Sequence, residues 1–146
     1  MNRSPALDVS HRVSVPLESV WRVMASAEHR GIWWPEFAGR WRDGEAISVR
    51  DEAPGCVSRH ADGHIDAVHE NEFIRWSWRT RGIRDASVVT IRVSEAKELT
   101  KIRVVEAGFS DSPAGAITID QMRQYWRFRI NVLSDYLKQF EMSTGE

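Results

Sequence analysis

The 146-residue chain has one cysteine, three lysines and no long run of apolar residues. With Cys56 alone, neither an internal disulfide nor a Cys-x-x-Cys metal or redox site can form. No stretch approaches the roughly 18 apolar residues of a membrane-spanning helix. The first residues also lack the apolar segment of a signal peptide. These absences predict a cytoplasmic protein without a membrane span.

Positive and negative charges nearly cancel, since 20 basic and 21 acidic residues give a net charge of −1. Such a chain has no overall attraction for nucleic acid or for an anionic membrane, so neither is predicted as a partner. A length of 146 residues fits one domain and is too short for two ordinary ones. We therefore predict a single domain over residues 1–146, with its core at about 8–140.

The N-terminal part of the chain is predicted to form a strand followed by two short helices. Polar and apolar residues alternate from Asp8 to Val15, which is typical of a half-buried strand. Pro16 then begins a helix, because proline fits the first helical turn, and the apolar stripe of that helix includes Trp21. Ser26 can cap the second helix.

A long strand-rich region follows, in which turn signals separate alternating segments. Asp43-Gly44 and Asp62-Gly63 are predicted as hairpin turns, because Asp-Gly suits the positive φ angles of type I′ turns. The segment Phe73–Arg79 is predicted as a strand that places Trp76 and Trp78 on one face. Several such strands with turns between them indicate an antiparallel sheet.

One long amphipathic helix closes the chain. A loop at 110–115 precedes it, and Thr118 with Gln121 forms a capping box that predicts its start. The apolar stripe that follows includes Trp126 and Ile130. A helix of this length can lie across a whole small domain.

Four short motifs in this order carry a family resemblance. They are VPLESVW at 15–21, GHIDAV at 63–68, IRWSW at 74–78, and TKIRV followed by GF within 100–109. Together with the order of strands and helices, they resemble the activator of heat-shock protein 90 ATPase homologue-like group. That group belongs to the START/birch-allergen-like (SRPBCC) superfamily, and the resemblance covers roughly residues 8–140.

The resemblance implies an α+β helix-grip fold. In that fold a seven-stranded curved antiparallel sheet, with two short helices, grips a long C-terminal helix and encloses a hydrophobic cavity. Relatives across the superfamily bind lipids, sterols, polyketides or plant hormones, and a few catalyse cyclisation or hydrolysis. A shared fold does not by itself choose among these functions.

Two polar residues stand at apolar positions of their strands. His11 shares a strand face with Val9 and Val13, and Glu106 shares one with Val104. The first and last strands of the helix-grip fold are neighbours, so the two side chains are predicted to meet inside the cavity. They would form either a polar anchor or acid–base pair for a ligand, or a purely structural hydrogen bond.

The predicted ligand-binding residues lie on the inner faces of these elements. They are His11, Val13, Trp34, Ile47, Trp76, Trp78, Ile91, Val104, Glu106, Trp126 and Ile130. Each tryptophan has the alternative role of a core residue, since tryptophan is usually buried. Trp33-Trp34 and the loop at 110–115 are the predicted entrance. The histidines lack the spacing of a metal site, and the chain has no cofactor motif, so neither a metal nor a cofactor is predicted.

Three functions fit these patterns. The preferred one is an intracellular binding protein for a small hydrophobic or aromatic molecule, held between the sheet and the C-terminal helix. The second is an interaction protein with a chaperone partner, as the family name suggests, or with a second copy in a homodimer. The third is a cyclase-like or hydrolase-like enzyme that uses the His11–Glu106 pair.

Overall fold

The computed structural model describes residues 5–52 and 58–141, and Cys56 falls in the segment outside these ranges. The elements in chain order are β1 (Ala6–Val13), α1 (Leu17–Ala25), α2 (Ala27–Trp33), β2 (Phe37–Ala38), β3 (Ala46–Asp51), β4 (Arg59–His69), β5 (Phe73–Thr80), β6 (Ser87–Ala96), β7 (Leu99–Ala107) and α3 (Pro113–Leu137), with a 3₁₀ turn at Lys138–Phe140.

The strands form one antiparallel seven-stranded sheet in the order β1-β7-β6-β5-β4-β3-β2. The first strand of the chain therefore pairs with the last, with Leu7 directly opposite Glu106. The long helix α3 packs against β1 and α2, over the inner face of the sheet. This arrangement confirms the predicted α+β helix-grip architecture.

Alternation along the strands separates an inner and an outer face of the sheet. In β5, Ile74, Trp76 and Trp78 are buried, whereas Arg75 and Arg79 are exposed. The same two-residue period places the apolar side chains of β6 and β7 inside, because successive strand residues point to opposite faces. The core consequently lies between the inner face and the helices.

Asp62-Gly63 does not form the predicted turn, because both residues lie within the continuous strand β4. Gly63 is directly opposite Trp78 in the sheet. A Cβ atom on Gly63 would lie 2.0 Å from the Ser77 carbonyl oxygen and 2.6 Å from the Trp78 Cα. The glycine therefore permits a close approach of two strands rather than a reversal of the chain.

The helix α3 begins at Pro113, earlier than the Thr118–Gln121 capping box predicted. The Ser112 hydroxyl oxygen accepts a hydrogen bond from the Gly115 amide at 3.0 Å, which caps the helix. Half of the predicted loop is thus the first helical turn, where proline is well accommodated. None of the helices in the described part of the chain is long and apolar enough to cross a membrane.

Candidate functional site

Aromatic rings occupy the space between the inner face of the sheet and α3. Trp34, Trp76, Trp78 and Trp126 are each at most 2% exposed. The ring centroids of Trp34 and Trp126 are 5.6 Å apart, and those of Trp78 and Trp126 are 6.2 Å apart. Contacts at these distances are typical of packed aromatic pairs. The side chains predicted to line an open cavity therefore contact one another, and the cavity itself is not confirmed.

Glu106 lies at the centre of this aromatic interior and accepts hydrogen bonds from several elements. The Arg59 guanidinium binds both carboxylate oxygens, with Nη1 2.8 Å from Oε1. The indole N–H of Trp126 donates to Oε1 at 2.9 Å, and that of Trp78 donates to Oε2 at 3.0 Å. The Ser87 hydroxyl also donates to Oε2. A carboxylate bonded in this way is fully satisfied, although both ion-pair partners are inaccessible to solvent.

Arg59, at the start of β4, completes this centre. Its Nε and Nη2 atoms donate to the Thr80 hydroxyl oxygen at 3.2 and 3.0 Å. Its guanidinium carbon lies 4.3 Å from the centroid of the Trp78 ring and 5.5 Å from that of Tyr125. Such cation–π contacts strengthen when they are desolvated. We refer to Arg59 and Glu106 with these partners as the Arg59–Glu106 centre.

The surroundings of Glu106 act on its pKa in opposite directions. Burial alone would raise the pKa, because it disfavours the charged form. The positive charge of Arg59, with hydrogen bonds from Arg59, Ser87 and Trp126, outweighs burial and holds the pKa below the ordinary value of 4.5. Glu106 is therefore a carboxylate at neutral pH, and it does not supply a proton there.

This lowered pKa predicts how stability depends on pH. The stabilisation from ionised Glu106 is fully present above pH 4.5 and is lost as the pH falls through the lower folded-state pKa. The glutamine side chain in Glu106→Gln has no titratable group. The difference in unfolding free energy between the wild type and this variant should therefore be smaller at pH 3 than at pH 6. Urea denaturation at both pH values measures the gap, and a constant gap would contradict the assignment.

A second buried ion pair lies beside the first. Arg129 on α3 donates to the Asp51 carboxylate at 2.6 Å and to the Trp33 carbonyl oxygen at 2.6 Å. Asp51 and Arg59 are directly opposite in the β3–β4 register, so the two pairs are neighbours. Burial, followed by the negative charge of Asp51, raises the pKa of Tyr125 well above its usual value. The Tyr125 phenol consequently remains protonated at neutral pH.

The predicted meeting of His11 and Glu106 is wrong. His11 is directly opposite Ile102, whereas Leu7 is opposite Glu106, so the two polar residues lie at different levels of the β1–β7 pair. The His11 Nε2 atom is 3.0 Å from the Ser134 hydroxyl oxygen on α3. The first and last strands are neighbours as predicted, but their register separates the two side chains. The acid–base pair required by the enzyme hypothesis is not formed.

The remaining predicted site residues divide between the core and a surface cleft. The buried apolar ones are Val13, Trp34, Ile47, Trp76, Trp78, Ile91, Val104, Trp126 and Ile130. His11 and Ile130 also line a cleft of about 420 Å³ between β1 and α3.

Arg59 was not predicted as a site residue from the sequence, because the assumed turn at Asp62-Gly63 placed it outside a strand. Its alternation with Ala61 and Ile65 in β4 was the available signal.

The predicted entrance is only partly supported. Trp33 and Trp34 are buried, so the prediction that they lie at an opening is wrong. The loop at 110–115 does border a cleft of about 300 Å³. This cleft shares Gly82 and Ile83 with a second cleft of about 450 Å³. The β5–β6 loop, residues 81–86, therefore borders both clefts, and the larger one is lined by the exposed side chains of Arg50, Asp62 and Arg79 on the outer face of the sheet.

The residues at both ends of the β5–β6 loop form hydrogen bonds with the Arg59–Glu106 centre. Thr80, which precedes the loop, accepts from Arg59. Ser87, which follows it, donates to Glu106. A displacement of this loop would therefore alter the hydrogen bonds of the buried ion pair.

Three buried indole N–H groups, those of Trp34, Trp41 and Trp76, have no acceptor within the described ranges 5–52 and 58–141. The Trp76 ring centroid lies 6.2 Å from that of Trp34 and 6.3 Å from that of Trp41, so the three form one cluster. By contrast, the indole of Trp33 donates to the Val23 carbonyl oxygen at 3.1 Å. A buried donor without a partner costs about 1–3 kcal/mol.

Comparisons with solved structures agree with this fold. DynU16, a protein from the dynemicin biosynthetic locus, superposes with a TM-score of 0.77 at 18% identity over 93% of this chain and 48% of its own. The chain thus spans about half the length of DynU16. MLL2253 from Mesorhizobium loti has a TM-score of 0.75 at 18% identity, over 94% of this chain and all of its own.

CalU16 from Micromonospora echinospora has a TM-score of 0.74 at 19% identity, over 92% of this chain and 76% of its own. Identities this low establish the fold alone.

No curated protein matches the chain. Residues 14–138, by contrast, match a family described as Activator of Hsp90 ATPase homolog 1-like protein, which covers most of the chain. The chain therefore belongs to the Activator of Hsp90 ATPase homolog 1-like protein family.

Proposed function

We propose that the protein binds a small aromatic molecule that carries a hydrogen-bond acceptor, in the interior between the sheet and α3. The observation that carries this proposal is the Trp34–Trp41–Trp76 cluster, whose three buried N–H groups have no acceptor in the described part of the chain. A carbonyl or ether oxygen of a ligand would satisfy such a donor. The surrounding rings would supply the apolar contact that aromatic ligands require.

The neighbouring indoles support this interpretation. Trp78 and Trp126 donate to Glu106, so the interior satisfies indole donors where the chain provides an acceptor. Most buried polar groups in folded proteins have a partner, and each exception calls for an explanation. An open donor cluster in the described part of the chain supports the proposal that a ligand supplies the missing acceptor.

Binding requires the interior to open, because the rings are in mutual contact. The β5–β6 loop is the segment we propose to move, since it borders the cleft of about 300 Å³ beside the start of α3. Its displacement would change the contacts of Thr80 and Ser87 with the Arg59–Glu106 centre. The ligand should therefore be small and flat, so that it inserts between indoles with little further rearrangement.

Isothermal titration with two molecules of matched shape tests the proposal. 1-Acetonaphthone carries a carbonyl acceptor, and 1-isopropenylnaphthalene has a methylene group in place of that oxygen. Wild-type protein should bind the ketone about 2–10-fold more tightly, which is the range expected for one net hydrogen bond. At least one of Trp34→Phe, Trp41→Phe and Trp76→Phe should reduce this preference below about twofold, since each removes one open donor and keeps an aromatic ring.

Trp21→Phe is the matched control, because the buried Trp21 ring packs on Trp41 with centroids 5.9 Å apart but Trp21 is not one of the three open donors. It should retain the preference for the ketone. Failure of both naphthalenes to bind the wild type would overturn the proposal. A preference that persists in each of Trp34→Phe, Trp41→Phe and Trp76→Phe would overturn the assignment of the donors.

A further inference from the structure

The outer face of strands β5, β6, β7 and β1 carries mostly positive charge. The ionisable side chains that point outward from these strands comprise six cations and one carboxylate, namely Arg12, Arg75, Arg79, Arg92, Lys101, Arg103 and Asp8. We refer to this surface as the basic face. The chain as a whole has a net charge of −1, so the charge is concentrated here. Helices cover only the opposite face of the sheet.

The register places like charges directly opposite each other on the basic face. Arg12 on β1 is opposite Lys101 on β7, and Arg103 on β7 is opposite Arg92 on β6. Like charges in directly opposed positions destabilise a sheet, whereas opposite charges stabilise it. A sheet selected for stability alone would place carboxylates in these positions. The repulsion therefore indicates a surface that an anionic partner neutralises.

The basic face already shows how its guanidinium groups bind a carboxylate. The Arg103 Nε atom lies 3.0 Å from Oδ1 and 3.1 Å from Oδ2 of Asp8. This hydrogen bonding, together with the charge of Arg103, lowers the pKa of Asp8. Arginine is suited to such recognition because its planar guanidinium matches the geometry of a carboxylate. Arg12 and Arg92 take part in none of the ion pairs between described residues.

The aromatic side chain on this face argues against nucleic acid as the partner. His69 stacks on the Phe73 ring with centroids 4.6 Å apart and an interplanar angle of 15°. The guanidinium carbon of Arg92 lies 4.8 Å from the same centroid, and that of Arg75 lies 5.5 Å from it. The ring is thus already in contact with these neighbours, whereas single-stranded nucleic acid binds by stacking bases on open aromatic rings.

We propose that the basic face docks an acidic peptide segment of a partner protein. Four adjacent strands spaced about 4.8 Å apart give a surface roughly 15–20 Å wide, which fits an extended segment of about five residues or a short helix. Glutamate or aspartate side chains of the segment would pair with Arg12, Arg92 and Arg75. This surface faces away from the interior, so docking there is independent of the small-molecule site.

Fluorescence anisotropy with a fluorescein-labelled decaglutamate peptide tests the proposal. The wild type should bind the peptide, and the double variant Arg12→Ser/Arg92→Ser should bind at least about fivefold more weakly, because it removes two of the unpaired cations. This variant should stay folded, since both residues face another cation. Arg22→Ser/Arg127→Ser is the matched control, with the same change in net charge on exposed positions of α1 and α3. It should bind like the wild type.

Three results would overturn the proposal. The first is no binding of decaglutamate by the wild type at low salt. The second is an equal loss of affinity in the control variant, which would indicate non-specific charge attraction. The third is tighter binding of a ten-nucleotide oligothymidylate, or of vesicles with 30% phosphatidylserine, than of the peptide. That result would assign the basic face to nucleic acid or to a membrane instead.

Discussion

Replacement of Glu106 by Gln should lower the free energy of unfolding by about 3–5 kcal/mol at neutral pH. The Arg59 guanidinium, whose side chain is inaccessible to solvent, would lose the negative charge that compensates it. An uncompensated buried charge is among the most destabilising single changes in a protein core. Gln keeps the shape of the side chain and one oxygen acceptor. The loss of unfolding free energy is therefore due to the missing charge and not to a change in volume. Urea denaturation at pH 7 measures it.

The double variant Arg59→Met/Glu106→Gln separates charge from packing. It removes both members of the pair, so it should be more stable than Glu106→Gln alone. The Gln oxygen could still accept from Trp78 or Trp126, whose indoles donate to this position. A free energy of unfolding for Glu106→Gln within about 1 kcal/mol of the wild-type value would show that the ion pair does not stabilise the protein.

Replacement of Gly63 by Ala should destabilise the protein by about 3 kcal/mol, at the upper end of the range for overpacked cores. The added methyl group would lie 2.0 Å from the Ser77 carbonyl oxygen and 2.6 Å from the Trp78 Cα. Both contacts involve backbone atoms, so strand β5 would have to move. Because Trp78 donates to Glu106, the shift should also disturb the buried ion pair. Thermal and urea denaturation measure the loss.

Gly31→Ala is the control for this prediction. Gly31 lies in α2, and a Cβ atom there meets nothing within 4 Å. Alanine is favoured over glycine in a helix by up to about 1 kcal/mol, so this variant should be unchanged or slightly stabilised. A similar effect of the two alanine substitutions would contradict the close approach of β4 and β5.

The strand pattern was predictable where alternation is strong and uninterrupted. Phe73–Arg79 was predicted as a strand with both tryptophans inward, and β5 has that arrangement. The position of Glu106 on an inner face was also predicted and is confirmed by its complete burial. Alternation predicts which face of the sheet a side chain occupies, because successive residues of any strand point to opposite faces. This prediction does not depend on which strands pair with it.

The partner of Glu106 was not predictable from alternation, because register depends on how strands pair. A local signal misled the prediction further, since Asp62-Gly63 is a strong turn motif. In the structure the glycine accommodates Trp78, and β4 continues through it. The apparent turn removed Arg59 from the strand and left His11 as the candidate partner. The true partner lies 47 positions away in the chain.

Sequence also could not decide whether the tryptophans line a cavity or fill it. Both arrangements place the same side chains on the same faces. The outcome depends on the volume between the sheet and α3 relative to the volume of the rings, which is a property of the assembled domain. The ring contacts around Trp76 and Trp126 show close packing.

The pairing of the first strand with the last bears on how this chain is made. The ribosome releases β1, with its inward Leu7, Val9 and Val13, long before β7 is completed at Ala107. At roughly 5–20 residues per second, the nascent strand waits roughly 5–20 seconds for its partner. During this interval the apolar face of β1 and its unpaired backbone groups can bind other chains. Protection of that segment during synthesis should therefore determine the yield of folded protein.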